Sequence, residues 1–157
     1  MRALITIIVG LMLSSFSFTT YALEIRKAFV NNESGDEDSK KCRIDDVSVK
    51  ASIEAALRAN RIEISQDSST RPTFYSRVNA AEITTEVCMV SFHLQVYVVQ
   101  RVDVQLTNER KKNVAAYVEL CENGGSMSAR KFDIQQRLND RFKRIVDICI
   151  SEISRMK

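Results

Sequence analysis

Tryptophan is absent from this 157-residue chain, and proline and histidine occur once each; there are four glycines and four cysteines. One proline and four glycines cannot build a loop-rich disulfide knot or a collagen-like repeat, so regular elements must carry the fold. One histidine excludes histidine-rich metal sites and leaves little material for acid–base catalysis. The cysteines contain no Cys-x-x-Cys, which removes zinc ribbons and thioredoxin-like redox pairs. Charge of one sign is also scarce: 23 Lys plus Arg stand against 20 Asp plus Glu, too even a balance to make nucleic acid an expected partner.

What is present begins with an address. Met1-Arg2 opens on a positive charge, Ala3 to Leu13 is broken only by Thr6 and Gly10, and Thr20-Tyr21-Ala22 supplies the small residues of a cleavage site. This is the pattern of a secretory signal peptide over residues 1–22, cleaved near Ala22. No cysteine follows the apolar run, so a lipoprotein anchor is not indicated. Cleavage removes Arg2 and leaves a near-neutral mature chain in a periplasmic or secreted setting. In that oxidising setting the even number of cysteines reads as disulfides.

Two regions follow. Residues 23–46 comprise a short edge strand, Leu23 to Val30, and a polar linker, Asn31 to Lys41, expected to pack against nothing. The linker's Glu33, Asp36, Glu37 and Asp38 do not follow the ligand spacing of an EF-hand. Residues 47–157 form a single α+β domain. Asp45 and Asp46 stand at capping positions before a helix over 47–59, with Asn60 placed to end it in a left-handed conformation. From Cys88 to Val104 the even positions are apolar and the odd ones mixed, the period of a long strand with one buried and one wet face. Thr73 to Ile83 and Val114 to Leu120 flank it as strands, a turn at Thr107 to Lys112 lies between, and Gly124-Gly125 is expected to end the sheet. Ser126 or Ser128 then caps a terminal helix whose Ile134, Leu138, Phe142, Ile145, Cys149 and Ile153 recur at three- or four-residue steps.

These elements assemble into a two-layer sandwich in the order (β)αβββα: a three- to four-stranded antiparallel meander with two helices on one face. Cys88 begins the long strand and Cys121 ends its neighbour, so Cys88–Cys121 is the expected bridge, provided that a bulge corrects their opposite parity. Cys42–Cys149 follows by elimination.

The same placement ranks the functional readings. His93 lies mid-strand beside Ser91, with no acid spacing that marks a triad or a carboxylate pair. The wet face carries Met89, His93, Tyr97, Val99 and Tyr117, more apolar than water requires, and is the candidate partner surface. Arg130, Arg137, Arg141, Lys143 and Arg144 form a candidate anion-facing side of the terminal helix, interleaved by Asp133, Asp140 and Asp147; peripheral membrane contact is confined to it. No cofactor is implied, and the sequence leaves the oligomeric state open. The order of helix, long antiparallel strands and terminal helix after a signal peptide resembles small modules of the bacterial envelope, such as lipopolysaccharide-assembly lipoproteins and the N-terminal domain of the Tol translocation protein. That resemblance implies a partner-binding protein with no enzymatic activity. The leading expectation is a non-enzymatic adaptor that binds another envelope or secreted protein. The alternatives are a secreted inhibitor or immunity protein that blocks a toxin or enzyme, and a small enzyme using His93 or a free cysteine.

Overall fold

The computed structural model describes residues 24–33, 35–104 and 112–156, and the expected signal peptide over residues 1–22 and most of the expected turn at 107–112 lie outside them. The apolar stripe of the terminal helix fixes the architecture. That helix, α3 (Ile134–Arg155), buries Ile134, Leu138, Phe142, Ile145, Val146, Cys149 and Ile153. A stripe of this width has to face another apolar surface. It finds one in the even-numbered side of strand β4 (Val87–Val104), where Cys88, Val90, Phe92, Leu94 and Val96 are all buried. Phe92 and Phe142 meet there edge to face, their ring centroids 5.9 Å apart. Helix α2 (Asp46–Ala59) covers the rest of the same side with Val49, Ile53, Ala56 and Leu57. It is started by Asp45, whose carboxylate accepts from the N–H groups of Val47 and Ser48.

The fold is therefore α+β in two layers, as the sequence pattern requires, with a mixed sheet. Strands β1 (Lys27–Asn32), β2 (Glu63–Ser65), β3 (Thr73–Glu82), β4 and β5 (Lys112–Arg130) lie in the order β2-β1-β3-β4-β5. The expected antiparallel meander is β3-β4-β5. The strand expected at the edge, β1, lies instead inside the sheet, parallel to both β2 and β3. Ala28 and Val30 of β1 are buried under the helices, which an edge position would not have required. The linker is also more ordered than its composition implies. A one-turn helix, α1 (Glu37–Lys41), is capped by Asp36, which accepts from the backbone N–H and the hydroxyl of Ser39. These bonds hold the Asp36 carboxyl below its ordinary pKa. Asn60 closes α2 without turning left-handed; Arg61 takes the positive φ instead.

The largest departure concerns β5. It does not end at Gly124-Gly125 but runs on to Arg130, pairing with β4 as far as Val87. Helix α3 consequently starts at Ile134, and neither Ser126 nor Ser128 caps it. Gly124 is needed inside the strand: a Cβ there would lie 2.5 Å from the Phe92 carbonyl oxygen. Because β5 continues, Cys121 sits opposite Val96, while Cys88 sits opposite Ala129. About eight residues of strand, ~27 Å, separate the two cysteines, beyond any disulfide's reach. The bonds are Cys42–Cys88 and Cys121–Cys149, which replace the expected Cys88–Cys121 and Cys42–Cys149 pairs. Cys149 lies about fifteen residues, ~22 Å, along α3, where the helix returning over the sheet meets the middle of β5. Cys42, just after α1, closes onto the start of β4.

Peptide mapping of the oxidised protein without reduction is expected to recover Cys42 joined to Cys88 and Cys121 joined to Cys149. The double substitution Cys121→Ala and Cys149→Ala is expected to lower unfolding free energy by about 3 kcal/mol in denaturant titration, the order for closing a loop of this length.

Candidate functional site

The side of the sheet away from the helices is built from the odd positions of β3 and β4. Its residues on β5 depend on an irregularity. Val96 pairs with Cys121 and Tyr97 with Glu119, so Leu120 is an extra residue without a partner of its own. In an unbroken strand, residues 117, 119 and 121 would all point the same way. The bulge at Leu120 lets Tyr117 and Glu119 share the open face while Cys121 turns into the core.

The result is a hollow of about 390 Å³ lined by Tyr75, Gln95, Tyr97, Tyr117 and Glu119, drawn from successive levels of three neighbouring strands. Tyr97 and Tyr117 meet edge to face with centroids 5.5 Å apart, and Tyr117 is 75% exposed. The Gln95 amide donates to the Glu119 carboxylate. The Tyr75 hydroxyl donates to Glu33, whose carboxylate also lies 3.6 Å from the Arg77 guanidinium. The hydrogen bond to Glu33, then burial, pushes the Tyr75 phenol above its ordinary pKa, because an ionised acceptor favours the protonated hydroxyl. Beyond residue 22 the chain has three tyrosines, Tyr75, Tyr97 and Tyr117, and all three line this hollow.

The five residues expected to form a partner surface are thus only partly brought together. Tyr97 and Tyr117 share the hollow, and Val99 pairs directly with Tyr117. His93 and Met89 lie about 13 Å and ~27 Å further down β4 from Tyr97 at strand rise. His93 Nε2 is 2.7 Å from Glu122 Oε1, and Gly124 stands directly across the ladder from it. Among the described residues Glu122 is the ring's side-chain hydrogen-bond partner, so a Ser91–His93 catalytic pairing does not form here. Tyr75, Gln95 and Glu119 are functional candidates that strand-by-strand reading missed. The clue in the sequence was the spacing of the tyrosines, one on each strand of the meander.

The basic residues divide in a similar way. Arg130 belongs to the end of β5 rather than to the helix, and its guanidinium lies 5.9 Å from the centre of the Phe132 ring. Arg137, Arg141 and Arg144 line one groove with Asp140 and with Met127 and Ser128 of β5. Lys143 pairs with Asp140 at 3.8 Å and does not line it. The linker acids are engaged separately: Glu33 with Tyr75 and Arg77, Asp36 with Ser39, Asp38 with Lys41. Among the described residues no group of three His, Cys, Asp or Glu is placed to hold a metal ion, and no cysteine is free. No described helix is long and apolar enough to cross a membrane.

In an alkaline absorbance titration, Tyr75 is expected to ionise above the ordinary phenol range, and Glu33→Gln is expected to lower its midpoint. The stabilisation from the Tyr75–Glu33 bond is present below the ordinary phenol range and is lost as pH rises through the elevated value. Gly124→Ala, which forces a Cβ against the Phe92 carbonyl, is expected to cost about 1–3 kcal/mol in urea unfolding.

No protein-family model and no curated protein matches the sequence. Several solved structures align with much of its length, three of them as follows. Rare lipoprotein B from Shewanella oneidensis is 9% identical, aligned over 82% of this chain and 93% of its own, at a TM-score of 0.38. A minor lipoprotein from Acinetobacter baumannii is 12% identical over 85% and 90%, at a TM-score of 0.26. A PelC dodecamer variant from Paraburkholderia phytofirmans is 14% identical over 84% and 88%, at 0.32. Similarity at this level leaves the functional reading to the chain's own residues.

Proposed function

We propose that this protein is an exported, non-enzymatic binding module that docks another envelope or secreted protein through the open face of its sheet. Residues 1–22 are its signal peptide, removed near Ala22, and the remainder works as one unit outside the cytoplasm. Two disulfides that use all four cysteines support an oxidising compartment. The observation that carries the binding role is the gathering of Tyr75, Tyr97 and Tyr117 on a surface that the protein's own helices leave uncovered. Tyrosine supplies large contact area and a polar tip at small entropic cost, which is why it is enriched at the centres of protein interfaces. Packing within the domain does not require Tyr117: the side chain is three-quarters exposed, and its ring rests on another exposed-face tyrosine.

A photoreactive amino acid placed at Tyr97 or Tyr117 is expected to give one discrete cross-linked species in producing cells, and the same group at Ala55, exposed on α2, none. Tyr97→Ala and Tyr117→Ala are expected to weaken capture of that species by about tenfold or more without changing the melting temperature by more than a few degrees. Diffuse labelling, or equal labelling from Ala55, defeats the proposal. If the captured protein is an enzyme or toxin that loses activity in the complex, the module is an inhibitor of it.

A further inference from the structure

The two edges of the sheet are unequal. β2, at one edge, has 3 residues; β5, at the other, has 19 and, among the described residues, no strand beyond it. A long open edge displays unpaired backbone groups and is a template for another strand unless something guards it. Proline and inward-pointing lysine, two usual guards, are absent from Asn113 to Ala129. The direction of the free groups can be read from the ladder. The Lys131 N–H reaches the Glu86 carbonyl at 2.9 Å, toward β4, so in the alternation of an antiparallel strand the backbone groups of Ser128 and Ser126 point outward.

Beside that stretch runs a row of cations. Arg137, Arg141 and Arg144 follow helical spacing along α3 and share a groove of about 260 Å³ with Met127 and Ser128. Arg137 has Asp133 at 3.9 Å, whereas Arg141 and Arg144 have no carboxylate within 4.0 Å among the described residues. Successive arginines stand about 6 Å and ~4.5 Å apart along the helix axis, and every second residue of an extended strand advances ~6.7 Å. A strand added about 4.8 Å outside β5 would therefore hold alternate side chains over the arginine row.

We infer that the C-terminal half of the β5 edge accepts an extended acidic segment of a partner protein, added as a sixth strand, with alternate Asp or Glu side chains paired to Arg137, Arg141 and Arg144. The backbone supplies a sequence-tolerant ladder and the arginines select for acids. This surface lies on the opposite layer from the tyrosine hollow and does not depend on it.

The probe is a short, fluorescein-labelled peptide that alternates Glu and Val, compared with its Lys–Val counterpart by fluorescence anisotropy on the oxidised mature protein. The acidic peptide is expected to bind, more weakly as salt rises, and the basic one not. Arg141→Glu combined with Arg144→Glu is expected to weaken binding by about tenfold or more. Ser128→Pro removes one outward donor at an edge position that tolerates proline, and is expected to weaken binding by about fivefold, with circular dichroism unchanged. Asn113→Pro, at the far end of the same strand, and Tyr97→Ala should leave the affinity as it was, so the two surfaces fail or stand separately. Binding that ignores Ser128→Pro overturns strand addition in favour of charge alone. Absence of binding, or equal binding of both peptides, overturns the proposal, as does self-association in sedimentation that Ser128→Pro abolishes, because a second copy would then occupy the edge.

Discussion

The apolar stripe of α3 can be buried only across the even-numbered face of β4, and that single packing decides which side of the sheet stays in water. Once Ile134, Leu138, Phe142, Cys149 and Ile153 lie against Val90, Phe92, Leu94 and Val96, the odd positions of β3 and β4 are committed to the open face. Because the helix returns over the sheet after a short turn, it also brings Cys149 over the middle of β5 and sets Arg137, Arg141 and Arg144 in a groove with Met127 and Ser128. The core, the second disulfide and both surfaces therefore follow from one helix position.

The bulge at Leu120 reconciles demands that a regular strand could not meet. The disulfide to Cys149 needs Cys121 pointing inward, and the hollow needs Tyr117 and Glu119 pointing outward, although all three positions share parity. An extra residue between them reverses the parity once, locally. The bulge is thus what allows a covalent clamp on one face and a tyrosine cluster on the other to sit within five residues of each other on β5.

The segment that leads into α2 illustrates how local composition misleads when tertiary contacts decide. The segment Asn31 to Lys41 has no apolar residue, and its polarity reads as a solvated tether. In the fold Asn32 bonds to Ser76 and to the backbone of Asp46, Asp36 caps a turn of helix, and Cys42 is tied to Cys88. These are polar or covalent attachments to residues distant in sequence, which hydropathy cannot register.

Periodicity alone determined the long central strand, the two main helices and the buried stripe of α3, because each depends on residues near one another in the chain and on side-chain geometry with a fixed period. It also placed Tyr97 and Tyr117 on the wet face. The length of β5, the site of β1 within the sheet, the pairing of the cysteines and the meeting of Tyr75 with the other tyrosines were settled only by tertiary structure. The second half of β5, Glu122 to Ser128, has Met127 as its one apolar side chain and includes Gly124, which lies too close to the Phe92 carbonyl for a Cβ, and so it shows no alternation to read. With that extension hidden, the end of β5 falls about ten residues too early, and Cys121 is assigned to the wrong end of the sheet. Local pattern fixes which way a side chain faces; only long-range pairing fixes what it faces.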